Sequence, residues 1–254
     1  MITSKTNPQI KNLIHLQKAS ERKDQQLIVV EGRREIERAL KNNFQLEKLF
    51  ACAEICGETT EIEAKETIWV SKDVFEKAAY RSTSDGLIAL FRPAYHSLDK
   101  LLLSKNPLII VLEAVEKPGN LGAVLRTADA AAADAVIVCD PRTDIYNPNT
   151  IRSSLGCIFS VPVVACTSAE AIQWLKAKQI TIYATYLEAV VNYLDADFLK
   201  ASAIIMGTEA TGLSAQWIKA ADQNLIIPML GIADSLNVSV STAVVVFEAL
   251  RQRR

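Results

Sequence analysis

Between residues 108 and 227 six short apolar runs recur, and their spacing admits little besides a parallel sheet. They are Leu108–Val115, Ala135–Cys139, Val161–Cys166, Ile180–Thr185, Ala203–Met206 and Leu225–Ile227. A strand buried on both faces reads as continuous apolar sequence, as in parallel sheets covered by helices. Helical patterns fall between them at about 121–133, 169–178 and 213–221, and a long apolar one closes the chain at about 236–252. Residues 107–254 therefore predict an α/β domain with a mainly parallel sheet.

The preceding residues predict a separate, smaller α/β module over 1–95. Residues 8–23 have helical spacing in Ile10, Leu13, Ile14 and Leu16. Leu27–Val30 is a short strand running through Glu31-Gly32 into a helix ending near Lys41. Leu46–Ala51, Thr67–Val70 and Gly86–Phe91 are further strands, and Ser71 is placed to cap a short helix. Residues 96–106 have few structural signals and predict a linker, with a short helix near Leu98–Leu103.

Composition narrows the classes. The 254 residues are 50% hydrophobic and 22% charged, which excludes disorder and coiled coil as the main state. No apolar run approaches the ~20 residues needed to span a bilayer, and the N-terminus lacks a signal-peptide pattern. The odd set of five cysteines (Cys52, Cys56, Cys139, Cys157, Cys166) argues against a secreted disulfide framework and for a reducing cytoplasm. Two histidines and one lone Cys52-x-x-x-Cys56 leave no metal site expected.

The net charge of −1 hides an asymmetry: residues 1–50 carry ten Lys/Arg against six Asp/Glu, and the remainder 18 against 23. Lys11, Lys18, Arg22, Arg33, Arg34 and Arg38 belong to this basic excess. It reads either as a solvated helix face or as a surface for phosphates.

Glycine is scarce. The chain has nine, where average usage would give roughly 18, and five lie in three segments after predicted strands. Such strand ends are where open α/β sheets bind ligands. The first segment, Glu116-Lys117-Pro118-Gly119-Asn120-Leu121-Gly122 through Arg126, places Asn120 as a helix N-cap. It sets Arg126 on a helix of apolar neighbours, where a buried cation needs a partner. The second, Met206-Gly207-Thr208-Glu209-Ala210-Thr211-Gly212, puts a bare backbone and a carboxylate after a strand, Glu209 being able to pair with Arg126. The third runs from Ile227-Pro228-Met229-Leu230-Gly231 to Ser235-Leu236-Asn237-Val238-Ser239, whose polar residues can cap the terminal helix. None is G-x-G-x-x-G or a Walker loop, so neither dinucleotide nor nucleoside-triphosphate binding is signalled.

As an ordered set, Asn120/Gly122/Arg126, Gly207/Glu209/Gly212 and Ile227–Gly231 with Ser235–Ser239 resemble the SpoU/TrmH family of RNA ribose 2′-O-methyltransferases. Two places depart from the family pattern: Lys117 before the proline, often acidic in relatives, and Ser241-Thr242 in place of a small Ala-rich step. Residues 1–95 resemble the substrate-binding domain often fused ahead of that catalytic domain. The resemblance implies a trefoil-knot (SPOUT) α/β domain, S-adenosylmethionine as methyl donor and RNA, ribosomal RNA favoured, as substrate. It also implies a homodimer packed through the knot and the C-terminal helix.

Its implied catalytic set is Arg126, Asn120, Glu209, Asn237 and Ser235. Gly207, Ile227, Leu236 and Met229, with Ser235 and Asn237, are implied to hold the cofactor. Lys11, Lys18, Arg33, Arg34, Arg126 and Arg152 form the expected RNA-facing set. A transfer-RNA 2′-O-methyltransferase and a non-catalytic RNA-binding or ribosome-assembly relative are the alternative readings. A nicotinamide-dependent oxidoreductase lacks its glycine fingerprint.

Overall fold

The computed structural model describes residues 1–80, 84–208 and 211–254. The chain forms two compact units: Met1–Ala94 with Tyr146–Ser160, and Tyr95–Ile145 with Val161–Arg254. In chain order the first unit contains α1 (Pro8–His15), α2 (Ala19–Gln25), β1 (Ile28–Glu31), α3 (Arg33–Lys41) and β2 (Leu46–Ala51). It continues with α4 (Ala53–Cys56), β3 (Thr67–Trp69), α5 (Lys72–Ala78) and β4 (Leu87–Phe91). The second unit opens with β5 (Leu108–Glu113), α6 (Pro118–Ala130) and β6 (Ala135–Cys139). The chain then supplies α7 (Pro148–Ser153) to the first unit. It completes the second with β7 (Val163–Cys166), α8 (Ser168–Ala177), β8 (Thr181–Thr185) and β9 (Val191–Asn192), followed by β10 (Ser202–Met206), α9 (Ala215–Ala220), β11 (Gln223–Ile226) and α10 (Val238–Gln252).

In the second unit the seven strands lie in the order β7-β6-β5-β10-β8-β11-β9. Each neighbouring pair is parallel, for example Ile109↔Ala135 and Ile110↔Ile204. The strands β5, β6 and β10 are buried along their whole length, as continuous apolar runs require. Each Val, Ile or Leu so placed contributes about 1.5–3 kcal/mol. Residues 96–106, expected as a linker, belong to this unit: a single 3-10 turn spans Leu98–Lys100, and Leu98, Leu101 and Leu103 pack on its core.

The first unit has a mixed four-stranded sheet, β1-β4-β2-β3, with β4 antiparallel to both neighbours and β2 parallel to β3. The helix expected over 8–23 is broken in two. Arg22, 3% exposed, donates to the carbonyls of Leu16 (2.8 Å) and Gln17 (2.7 Å), satisfying backbone oxygens that a continuous helix would have used itself. This basic residue is structural. So is Arg38, which donates to the Leu155 carbonyl (2.9 Å) and the Cys157 sulfur (3.2 Å).

Those two partners lie in Tyr146–Ser160, which falls within the second domain expected over 107–254 but belongs to the first unit. The Phe44 ring, 9% exposed, meets Phe159 and Tyr146 edge-on, with centroids 4.8 and 6.3 Å away. The Tyr146 hydroxyl donates to the Ala94 carbonyl. Helix α7 escaped the periodicity reading because it is six residues long, yet Asn147-Pro148 announces it. Asn147 accepts from the Asn149 amide at 2.9 Å with proline in the first turn, as Asn7 and Pro8 do at α1.

Candidate functional site

The first and third segments meet at their asparagines. Pro118 takes the first helical position of α6, so the helix starts earlier than expected and Asn120 lies in its first turn instead of capping it. Its side chain is turned to a tertiary partner: Asn120 Oδ1 accepts from Asn237 Nδ2 at 3.3 Å. Asn237 does cap α10, its Oδ1 accepting from the Ser239 amide (2.9 Å) and hydroxyl (2.7 Å). Helix α10 in turn packs on α6 and β10. Thr242, at one of the departures from the family pattern, is fully buried there and donates to the Val238 carbonyl at 2.6 Å, so its hydroxyl is satisfied.

The second segment joins them at a cavity. Strand β10 delivers Gly207, and Thr208 exchanges backbone hydrogen bonds with Gly212 (3.1 and 3.0 Å) across the base of a tight loop, Gly212 having φ +66°. A Cβ on Gly207 would stand 2.2 Å from the Gly212 carbonyl carbon and 2.4 Å from the Leu213 nitrogen. Glycine is required here by the loop's own backbone, where the sequence suggested ligand approach. A cavity of about 330 Å³ opens beside it, lined by Val115, Glu116, Lys117, Asn120, Gly207, Thr208 and Val238. Val115 to Lys117 reach it because Ala114 turns the chain at φ +50° as β5 ends. Glu116 is ion-paired with Arg142 at the surface.

Of the expected site residues, Asn120, Gly207 and, through Asn120, Asn237 are thus brought together. Ile227 and Met229 are half-buried, and Ser235 and Leu236 are exposed. None of these four lines the cavity. Glu209 lies outside the described residues. Arg126 differs from expectation: α6 buries Leu121, Gly122, Val124, Leu125 and Ala128, whereas Arg126 is exposed. It sits about 120° around the helix from Asn120. Among the described residues it has no hydrogen-bond or ion-pair partner. Val115, Glu116, Lys117, Thr208 and Val238 line the cavity outside the expected set. Thr208 and Val238 adjoin Gly207 and the capping Asn237 in sequence, Val115 to Lys117 follow β5, and only the fold shows that they share one space.

Cys139 and Cys166 end the neighbouring strands β6 and β7 in register. The interaction of the two thiols pushes Cys139 up, together with its burial, and draws Cys166 below the usual thiol range against the opposing effect of burial. In the first unit Lys11, Lys18, Arg34 and Arg152 are exposed and Arg33 is half-buried. Arg34 pairs with Glu35 at 2.9 Å, Arg33 with Glu61 at 3.8 Å, and Arg152 stands 5.8 Å over the half-exposed Tyr80 ring.

Comparison with known proteins fixes the lineage. Residues 107–247 match the SpoU rRNA Methylase family, and residues 7–89 match the MRM3-like substrate binding domain. The chain belongs to the SpoU rRNA methylase family. It is 31% identical to the 23S rRNA (guanosine(2553)-2′-O)-methyltransferase RlmP of Bacillus subtilis over 97% of each chain. Among solved structures it resembles an RNA 2′-O ribose methyltransferase (TM-score 0.89, 41% identity, 99% of this chain and 98% of that one). It also resembles the AdoMet-bound rRNA methyltransferase of Sinorhizobium meliloti (TM-score 0.90, 28% identity, 98% and 97%). The fold class read from the sequence, a small α/β module ahead of a SPOUT domain with a mainly parallel sheet, is the one observed. As a member of this family the protein is an S-adenosylmethionine-dependent RNA methyltransferase.

Proposed function

We propose that this methyltransferase modifies a ribose 2′-hydroxyl of ribosomal RNA at the cavity joining its three segments. The observation that carries the reading is the Asn237–Asn120 contact beside Gly207, which gathers all three segments around one space. That space suits part of S-adenosylmethionine: Val115, Val238 and the bare Gly207 offer an apolar face, while Asn120 and Thr208 offer hydrogen bonds. When bound, the cofactor supplies an electrophilic methyl group. Ile227, Met229, Leu236 and Ser235 belong to the same proposed binding region through the third segment.

The residues of the chain then have to hold the ribose in line and manage its proton. Asn120 and Asn237 fix each other's orientation and present amide groups toward the substrate. Arg126, exposed and without a partner among the described residues, is available to a ribose-phosphate. It acts there as base or as electrostatic clamp, the clamp being the natural role of a group that keeps its proton above about pH 12. Glu209 is assigned to orienting Arg126 or substrate.

The N-terminal unit docks RNA through Lys11, Lys18, Arg33, Arg34 and Arg152. Ribosomal RNA is favoured over transfer RNA because the rRNA methyltransferase of Sinorhizobium meliloti aligns over 98% of this chain. The TrmH/SpoU tRNA modifying enzyme of A. aeolicus covers only 61%. A homodimer through α10 and the third segment is part of this reading, supported by the exposed apolar side chains of Leu230, Ile232, Val240 and Phe247. Cytoplasmic residence is supported by the five free thiols.

Transfer of labelled methyl to unmodified ribosomal RNA tests the activity. Arg126→Ala is expected to lower the rate by about 100-fold or more. Wild-type transfer no greater than that of the variant overturns the reading.

A further inference from the structure

The cavity wall rests on a buried carboxylate outside it. Glu113 ends β5 at 6% exposure. Its Oε2 accepts from the Ser214 amide at 2.8 Å and its Oε1 from the Ser214 hydroxyl at 2.6 Å. Ser214 precedes α9 in the extended conformation of an N-cap, yet its hydroxyl makes no capping bond to that helix. A serine at this place normally caps, so the bond to Glu113 is made at the helix's expense.

Three further bonds hold the surroundings of this pair. The Ser168 hydroxyl donates to Asp140 Oδ2 at 2.5 Å and accepts from Trp217 Nε1, on α9, at 3.0 Å. Trp217 is fully buried. The Ala114 amide donates to the Cys139 carbonyl at 2.8 Å, which fixes the direction in which the chain leaves Glu113.

Ser214 follows Gly212-Leu213, the backbone that lies against Gly207. With a Cβ on Gly207 already 2.2–2.4 Å from those atoms, no slack exists between the two strands of the loop. Whatever holds Ser214 therefore holds Gly212-Leu213, and through them the Gly207-Thr208 wall of the cavity. We infer that Glu113 is a positioning residue: it anchors Ser214 to the end of β5 and so sets the shape of the cofactor cavity without touching its contents. This rests on the reading of that cavity as the S-adenosylmethionine site.

Calorimetry with S-adenosylmethionine on wild type, Glu113→Gln, Ser214→Ala and the double variant tests it, alongside methyl-transfer kinetics. Glutamine keeps one acceptor oxygen and turns the other into a donor facing Ser214. Cofactor binding is expected to weaken about tenfold in Glu113→Gln and severalfold in Ser214→Ala. The double variant should be no weaker than Glu113→Gln, since both act through one contact. The KM for cofactor should rise by the same factor, while kcat at saturating cofactor falls far less, a split that general destabilisation does not produce. Should Glu113→Gln fail to fold, Ser214→Ala reads the same contact alone.

Variant affinities within twofold of wild type, or a double variant equal to the product of the singles, overturn the role of Glu113. Absence of cofactor binding by wild type overturns the functional reading instead.

Discussion

Each neighbouring pair in the seven-stranded sheet is parallel, whereas the four-stranded sheet mixes both directions. The two units also gather their material differently. The C-terminal unit grows by repeated strand-helix steps, so its burial is written as local apolar runs. The N-terminal unit covers Phe44 and completes the Arg38 contacts with Tyr146–Ser160, a segment distant in sequence. A module that looks independent by its own pattern can thus depend on residues that its pattern does not contain.

The largest expected effect breaks that dependence. Phe44→Ala removes the ring that meets Phe159 and Tyr146 and should destabilise the protein by about 3–5 kcal/mol, read by denaturant unfolding. A loss under about 1 kcal/mol would show that the imported segment contributes little.

In the C-terminal unit the comparable lesion is a single methyl. Gly207→Ala forces a Cβ against loop backbone and should cost about 1–3 kcal/mol together with cofactor binding. Gly119→Ala, where a Cβ meets nothing within 4 Å, should leave both unchanged. Equal behaviour of the two in melting and calorimetry would remove the special standing of the second segment.

Cations of the first unit separate next. Arg22→Ala removes the donor to the buried Leu16 carbonyl and to the part-buried Gln17 carbonyl and should cost about 1–3 kcal/mol. Lys18→Ala should leave stability unaltered but lower RNA affinity and flatten its salt dependence by about one charge. A stability loss in the second, or none in the first, contradicts the division into structural and RNA-facing cations.

The smallest effect is a helix end. Glu170 completes a capping box at α8, and the Thr167 amide and hydroxyl hold its carboxyl below the usual range. A depressed carboxyl stabilises the fold above its unfolded value, near 4.3, and that contribution disappears as pH falls through the folded value. Glu170→Gln should therefore flatten the melting profile only in this acidic window. A change confined to neutral pH would contradict the assignment.

What was legible followed from burial symmetry. Strands covered on both faces have no alternative but apolar sequence, so β5, β6 and β10 were found nearly to the residue. The break between α1 and α2 was not, because Arg22 decides it by side-chain hydrogen bonds to the Leu16 and Gln17 carbonyls that no spacing rule contains. Arg126 was read as buried from the average character of its neighbours. The helical period itself, with Leu121, Val124, Leu125 and Ala128 on one face, already turned it outward. The capping role expected of Asn120 was displaced by Pro118, whose preference for the first helical position is as plain in the sequence. The Asn120–Asn237 contact joins residues more than a hundred positions apart. Local pattern could nominate both residues, and only the family resemblance placed them in one site.

The borrowed segment also bears on synthesis. A ribosome delivers a chain from its N-terminus, so an N-terminal module ordinarily folds while the rest is still being made. Here the final piece of the first unit follows Ala94 by about 65 residues, roughly 3–13 s of translation at the usual pace. During that interval Phe44 and the partners of α7 lack their cover while β5, α6 and β6 emerge. The two units are therefore expected to mature together, with the early chain held incomplete until residue 160 has left the ribosome.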